Sequence, residues 1–277
     1  MRLSISNIAW EIADDEAIAE LLRQHQINAI DVAPGKYFPE PAKATASQIA
    51  LVKDWWAARG IDIIGMQALL FGTSGLSVFG PPASQDAMLS HLDGVCRIGA
   101  GLGANKLVFG SPKNRDRGTL DDGAAMAIAV PFFRRLGDIA ATHGVTICLE
   151  PNPPCYGTNF MTTSAETARV VEAVNHASIR MQFDTGALQI NGENPQDVLA
   201  SCAGLIGHIH ASEPNLLPLG DDKTDHASMA AALKKFLPEQ VITIEMVATK
   251  DERHLTSISR ALFMAVRHYR DGNGAGA

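Results

Sequence analysis

The stretch GVTICLEPNPP, residues 144–154, has the pattern of a short β-strand that ends at a proline-rich turn. Apolar residues alternate with polar or small ones over 145–150, a period of two that is typical of a β-strand with one apolar face. The strand stops at Pro151, and its last residue is the carboxylate Glu150. A single carboxylate at a strand end is usually a solvated loop residue, so its meaning depends on how the other strands end.

Short β-branched segments alternate with longer, Ala-rich amphipathic segments along the chain. The predicted strands are 2–6, 28–33, 61–67, 105–111, 145–150, 179–185, 205–211 and 241–246. The predicted helices lie near 15–24, 46–58, 84–101, 122–142, 164–175, 196–202, 227–236 and 252–270. Strands that alternate with helices run parallel, because each crossover carries a helix. Eight such units, with no linker and no GxGxxG turn after the first strand, predict a single-domain α/β protein, a (β/α)8 TIM barrel over residues 1–270.

Bulk composition restricts the class of protein and its compartment. The chain has 277 residues, 46% hydrophobic and 19% charged, which suits a folded domain with a sizeable core. The formal net charge is −7 and the chain has no basic run, so we expect no nucleic acid partner and no membrane partner. Scattered cysteines and the absence of a signal sequence or membrane-length apolar run predict a cytoplasmic protein. The tail DGNGAGA, residues 271–277, is expected to be disordered.

Three further predicted strands end, like the fifth, in a potential metal ligand. Asp184 in MQFDT ends the sixth strand, His210 in GHIHAS the seventh and Glu245 in VITIEM the eighth. The opposite face of each strand is apolar, so these groups and Glu150 are expected to point into the barrel mouth. Three converging carboxylates repel one another unless a cation lies between them. Three oxygen donors and one imidazole therefore predict one divalent metal ion, Mn²⁺ first, with Mg²⁺, Co²⁺ or Zn²⁺ as alternatives.

The order Glu, Asp, His, Glu at the ends of strands five to eight resembles the xylose-isomerase-like TIM barrel superfamily, and within it the sugar phosphate isomerase/epimerase group. The resemblance covers nearly the whole chain and includes SNIAW, LEPNP, FDTGA, HIHASE and TIEM. It implies metal-assisted proton transfer next to a carbonyl, through an enediolate, on a ketose, sugar phosphate or related hydroxy-ketone. It also implies that Glu150 and Glu245 are catalytic acid/base residues as well as ligands, that Asp184 and His210 are ligands only, and that the chain forms a homodimer or homotetramer.

The expected substrate shell departs from that of the ketose epimerases in this group. Those enzymes carry a His three residues after the sixth-strand Asp and an Arg six residues after the seventh-strand His. This chain has Ala187 and Leu216 at the two positions. It also has Tyr156 six residues after Glu150, where a carboxylate is common. A free ketohexose is therefore not the expected substrate, although proton transfer beside a carbonyl remains the expected chemistry.

Other polar and aromatic residues near the strand ends are candidates for contact with a carbohydrate substrate. Basic side chains after the fourth strand suit a phosphate, a carboxylate or a hydroxyl, and aromatic residues after the early strands suit pocket walls. The candidates are Trp10, Gln67, Lys113, Asn114, Arg115, Tyr156 and Glu213. For each of them the alternative is a structural residue or a solvated loop group. His208, one layer below His210, is expected to be a hydrogen-bonded histidine of the barrel interior.

Three other functions compete with the isomerase. A metal-dependent dehydratase of a polyol ketone of the inosose type shares the enolate chemistry, so the sequence separates it poorly from an isomerase. An endonuclease-IV-like nuclease needs three zinc ions and several more histidines, and the acidic charge opposes DNA binding. A non-catalytic sugar-binding barrel predicts a degraded ligand set, whereas the set is whole here.

We expect one tightly bound divalent metal ion per chain, because four strand-end ligands converge on one point. Elemental analysis of protein purified without chelator, and again after Mn²⁺ reconstitution, measures it. The Asp184→Ala variant should lose the ion. Three zinc ions per chain would instead indicate the nuclease, and a chain that binds no metal would indicate the sugar-binding barrel.

Overall fold

Eight parallel strands pair in sequence order and the eighth pairs with the first, so that the sheet closes into a barrel. The computed structural model describes residues 1–270, and the predicted disordered tail lies outside them. The strands are β1 (Leu3–Ser6), β2 (Ala29–Val32), β3 (Asp62–Met66), β4 (Lys106–Phe109), β5 (Thr146–Leu149), β6 (Ile179–Asp184), β7 (Ile206–Ser212) and β8 (Ile242–Glu245). Each predicted strand overlaps an observed one, which confirms the (β/α)8 barrel. The largest difference that concerns a ligand is in β7, which runs two residues beyond His210 because Ser212 pairs with Glu245.

Helices surround the barrel. They are α1 (Asp15–Gln24), α2 (Pro34–Tyr37), α3 (Ala46–Ala57), α4 (Pro82–Leu102), α5 (Asp122–Thr142), α6 (Ser164–Val174), α7 (Thr185–Asn191), α8 (Pro195–Cys202), α9 (His226–Phe236) and α10 (His254–Ala265). All eight predicted helices are present, whereas the short helices α2 and α7 were not predicted. Helix α7 begins directly after β6, because the Asp184 side chain accepts a hydrogen bond from Ala187 N and caps it. Within residues 1–270, none of the helices is both long and apolar enough to cross a bilayer.

The strands divide their side chains between two environments, as the alternation predicts. Apolar residues such as Ile147 and Phe183 are fully buried in the hydrophobic core. Polar side chains fill the barrel interior and bond to one another across it. The bonds are Ser4 Oγ to Asp31 Oδ1 (3.5 Å), His208 Nε2 with Asp31 Oδ2 (2.6 Å) and Thr243 Oγ1 with His208 Nε2 (3.4 Å). The interior is thus a polar column that leads up to the mouth.

A glycine in β3 leaves the room that this column needs. A Cβ placed on Gly65 would lie 2.5 Å from Oδ2 of Asp31. Asp31 is fully buried and hydrogen-bonded to His208, so its carboxylate is not free to move aside. The pairing of β2 with β3 also shifts by one residue between Ile30 and Asp31. The absence of a side chain at Gly65 therefore places a charged group in the barrel centre.

We expect Gly65→Ala to lower the free energy of unfolding by about 1–3 kcal/mol, the usual cost of forcing extra volume into a packed interior. Gly35→Ala is the matched control, because a Cβ at Gly35 meets no atom within 4 Å; its effect should stay within about 0.5 kcal/mol. Urea unfolding of both variants measures the difference. Equal free energies of unfolding for the two variants would show that Asp31 can move aside without destabilising the protein.

Candidate metal centre and active site

The four predicted ligands Glu150, Asp184, His210 and Glu245 meet at the mouth of the barrel. One ligand atom from each lies within 4.8 Å of those of the other three, and none of the four residues is more than 8% exposed. His210 Nδ1 lies 3.5 Å from Glu150 Oε1 and 3.3 Å from Glu245 Oε2. Glu150 Oε1 is buried and has no hydrogen-bond partner. A buried, unpartnered oxygen of this kind, beside two more carboxylates, is suited to be the ligand of a cation.

Each of the three carboxylates accepts a hydrogen bond from a neutral side chain. The pairs are Gln67 Nε2 to Glu245 Oε1 (2.9 Å), Asn152 Nδ2 to Glu150 Oε2 (3.0 Å) and Ser212 Oγ to Asp184 Oδ2 (2.7 Å). Since these donors carry no charge, they orient the carboxylates without neutralising them. These donors thus play the orienting role that is typical around protein metal sites.

A buried acid–histidine pair lies one layer below the ligands. His208 Nε2 is 2.6 Å from Asp31 Oδ2, which confirms that His208 is a hydrogen-bonded interior histidine. The same Asp31 oxygen is 3.9 Å from His210 Nε2. Asp31 was not predicted as part of the site. It lies between Ile30 and Val32 in β2, and the alternation of side chains along a strand could have placed it in the barrel interior. Burial disfavours its charge, yet His208 and His210 lower its pKa below the usual range.

Protons and a metal ion compete for this centre. Burial, followed by repulsion from Glu245 and Glu150, raises the pKa of Asp184 to about 8. Burial acts to lower the pKa of His210, but Glu245, Asp31 and Glu150 together raise it well above its usual value. Burial acts to raise the pKa of Glu150, but the nearby His210, together with Asn152 and Arg115, lowers it overall. In metal-free protein, protons on Asp184 and His210 thus offset part of the negative charge, and a bound cation must displace them.

The structure places Trp10 away from the surface on which a substrate would lie. Its ring is fully buried and packs edge-on against Trp56, with 6.5 Å between ring centroids. Its Nε1 donates to Asp15 Oδ1 at 2.7 Å. Trp10 therefore belongs to the core beneath the loop after β1, because its one polar atom is satisfied there.

Glu213 is also fully buried, and it bonds to the protein itself. Its Oε1 accepts hydrogen bonds from Gly220 N at 2.8 Å and from His226 Nε2 at 3.0 Å, and its Oε2 accepts one from Thr224 N at 3.2 Å. These bonds hold the loop that follows β7. Glu213 thus supports the mouth from behind and does not face it.

The three candidates after β4 do not gather around one ligand. Lys113 is exposed, and Asn114 Nδ2 donates to the Leu76 carbonyl at 2.9 Å. Arg115 is fully buried; its Nη1 donates to the backbone carbonyl of Glu150 at 2.7 Å. Burial lowers the pKa of Arg115 to about 10, so it stays charged at neutral pH. The segment thus joins neighbouring loops instead of forming an anion pocket.

Gln67 is hydrogen-bonded to the candidate ligand Glu245, and Tyr156 lies close enough to Asp184 and Glu245 for their charges to act on it. The Tyr156 hydroxyl accepts a hydrogen bond from Asn215 N at 2.8 Å, which links the loops after β5 and β7 across the mouth. Burial raises the pKa of Tyr156, and the charges of Asp184 and Glu245 add to the shift. Gln67 is bonded to Glu245, while its Oε1 is buried without a partner.

Comparison with known proteins gives the family. The family model for the xylose isomerase-like TIM barrel matches residues 19–264, so the chain belongs to this family. L-ribulose 3-epimerase from Methylomonas sp. (strain DH-1) is 30% identical over 124 residues, 45% of this chain and 43% of that protein. Inosose dehydratase from Lacticaseibacillus casei is 31% identical over 102 residues, 37% of this chain and 33% of that protein. The matched segments span less than half the length of either relative.

A solved structure shows the same fold over 97% of this chain. D-psicose 3-epimerase from Clostridium cellulolyticum H10, determined with D-tagatose, superposes with a TM-score of 0.79. The superposition covers 97% of this chain and 99% of that one at 17% identity. At this identity the likeness supports the barrel architecture, while the chemistry must be judged from the site itself.

We expect Mn²⁺ binding at pH 7 to release roughly one to two protons per ion, because Asp184 and His210 must lose protons to become ligands. The pKa of Asp184 is about 8, so affinity should rise as the pH increases towards 8, and proton release should decrease above it. Calorimetric titration in two buffers of different ionisation enthalpy measures the release. The same titration at pH 9 is the control. Equal and negligible proton release at pH 7 and pH 9 would show that Asp184 and His210 are already deprotonated in the absence of metal.

Proposed function

We propose that the protein is a divalent-metal-dependent isomerase or epimerase that transfers a proton on the carbon beside the carbonyl of a ketose, sugar phosphate or related hydroxy-ketone. The observation that carries the proposal is the buried cluster of Glu150, Asp184, His210 and Glu245, whose ligand atoms lie within 4.8 Å of one another. Membership of the xylose isomerase-like family supports it.

The donor set suits one hard or borderline divalent ion. Three carboxylates and an imidazole favour Mn²⁺, with Mg²⁺, Co²⁺ and Zn²⁺ as alternatives. When bound, such an ion supplies a Lewis acid that polarises the substrate carbonyl and offsets the negative charge that develops on its oxygens. Asp184 would act only as a ligand, because Ala187 N and Ser212 Oγ already hold its two oxygens at 2.6 and 2.7 Å.

Glu150 and Glu245 would carry the proton. Each approaches His210 Nδ1 with one oxygen, Glu150 Oε1 at 3.5 Å and Glu245 Oε2 at 3.3 Å. The other oxygen of each is held by Asn152 or Gln67. One glutamate would remove the proton beside the carbonyl and the other would return a proton, which requires two carboxylates held in fixed directions.

Gln67 and Tyr156 would orient the substrate. Gln67 Oε1 is buried and unpartnered, so it is placed to accept a hydrogen bond from a substrate hydroxyl. The Tyr156 oxygen accepts a bond from Asn215 N, which leaves its own proton free to donate. The loop groups that surround the mouth would exclude water from the reacting carbon.

A dehydratase is the second candidate, favoured by the match to inosose dehydratase. The first step would be the same removal of a proton beside a carbonyl. The hydroxyl on the next carbon would then take a proton from the second glutamate and leave as water, with a C=C bond forming between the two carbons. The nuclease is not proposed, because the net charge of −7 opposes DNA binding. The homodimer or homotetramer and the cytoplasmic location stay predictions.

Solvent deuterium uptake tests the proposal. We expect Mn²⁺-loaded protein in D2O to incorporate deuterium beside the carbonyl of at least one member of a panel of ketoses, ketose phosphates and an inosose, as followed by NMR. Glu150→Gln and Glu245→Gln should each slow exchange by about 100- to 10,000-fold, the usual worth of a general acid or base. Glu172→Gln, on the exposed surface of α6, is the matched control.

The products separate the two candidates. An isomer of unchanged mass indicates the isomerase or epimerase, and a product lighter by one water indicates the dehydratase. Wild-type rates of exchange in either glutamine variant would contradict the assigned proton carriers. A metal-loaded protein that binds sugars but exchanges no proton would be a binding barrel.

A further inference from the structure

The segment VFGSPKNR, residues 108–115, places a fully buried arginine behind the metal centre. Arg115 closes a short helical turn, Pro112–Arg115, after β4, and its side chain is 0% exposed. A guanidinium is costly to bury unless its donors are satisfied by well-placed acceptors. The hydrogen-bond acceptors of Arg115 therefore indicate its role in the protein.

Two acceptors of Arg115 belong to Glu150 and to its neighbour Asn152. Arg115 Nη1 donates to the Glu150 carbonyl at 2.7 Å, and Nη2 donates to Asn152 Oδ1 at 2.5 Å. The same amide turns its Nδ2 to Glu150 Oε2 at 3.0 Å. The two ends of an asparagine amide are nearly equal in size, so a bonding partner must decide which end faces the carboxylate. Arg115 makes that choice, because only an oxygen accepts its proton.

Gly110 leaves room for the Glu150 carboxylate because it has no side chain. A Cβ at this position would lie 2.1 Å from Glu150 Oε2. Oε2 thus occupies space that any other residue at 110 would fill. With Oε2 held between Gly110 and Asn152, Oε1 is the oxygen left to face His210.

The turn itself is anchored independently of the ligands. Asn114 Nδ2 donates to the Leu76 carbonyl at 2.9 Å, and Val78 N donates to the Asn114 carbonyl at 2.9 Å. The loop after β3 thereby holds the turn that carries Arg115. Its position is therefore set by protein contacts that need neither metal nor substrate.

Direct binding of an anionic substrate by Arg115 does not fit these contacts. The Nη1 and Nη2 groups each donate to a protein oxygen, and Nε is buried without a partner. The whole side chain is 0% exposed, so a substrate in the open mouth does not reach the guanidinium. The role open to Arg115 is exerted through Glu150 and Asn152.

We infer that Arg115 is a positioning residue: through the Asn152 amide it aims the Glu150 carboxylate at the metal centre. The inference deepens the proposed function and rests on Glu150 being a ligand. It assigns the VFGSPKNR segment to the organisation of the centre, and it takes Arg115 out of the set of substrate-contacting residues.

Mn²⁺ affinity, measured by calorimetry on the full chain without any sugar, tests the inference. Arg115→Met removes the guanidinium but keeps side-chain length, and Asn152→Leu replaces the amide by an apolar group of similar shape. Each should weaken Mn²⁺ binding by about 10- to 100-fold, the usual effect of losing a group that orients a ligand. The double variant should be no weaker than the weaker single variant, because the two residues act in series.

Arg97→Met is the matched control. Arg97 also donates to backbone carbonyls, those of Ala44 and Pro41 at 2.6 and 2.9 Å, but these lie away from the metal centre. The control variant should keep Mn²⁺ affinity within about twofold while losing some thermal stability. Wild-type affinity in folded Arg115→Met would overturn the inference. Should Arg115→Met not fold, Asn152→Leu decides in the same way. If the wild type binds Mn²⁺ but exchanges no deuterium with any sugar, the proposed function fails while this inference is still judged by affinity alone.

Discussion

Repulsion among the three carboxylates of Glu150, Asp184 and Glu245 is the constraint on which the barrel mouth depends. Two like charges about 4 Å apart repel by about 4 kcal/mol at an effective dielectric constant near 20. Within residues 1–270, no lysine or arginine forms an ion pair with these three carboxylates, and the pKa of Asp184 is raised to about 8. The strands are held in place by the hydrophobic core around them. The free energy of folding thus keeps together groups that favour a cation.

The surroundings of the cluster orient charge without cancelling it. Amide and hydroxyl donors hold the carboxylates from the sides, and the Asp31–His208 pair lies below. The nearest buried guanidinium, that of Arg115, is directed at a carbonyl and an amide oxygen and not at a carboxylate. Fixed dipoles of this kind prepare a site for a charged group before that group arrives.

Family membership and the substrate shell carry different information. The chain belongs to the xylose isomerase-like family and keeps a complete ligand quartet. At the positions where the resemblance led us to expect a polar substrate contact, it has Ala187, which is buried in the first turn of α7, and Leu216, whose φ of 55° lies in the left-handed region. The chain thus lacks both polar side chains of the ketose epimerases, and under the proposed function Gln67 and Tyr156 would orient the substrate.

The order of the eight strands and the four candidate metal ligands could be predicted from the sequence, because alternation and strand-end position are local properties of the chain. The sequence did not determine which other polar groups face the mouth. Asp31 and His208 are 177 residues apart, and Arg115 and Glu150 are 35 apart. Whether such groups meet depends on barrel closure, strand register and loop packing. The burial of Trp10, Arg115 and Glu213, and their bonds within the protein, became visible only in the folded structure, because folding brings their partners close to them.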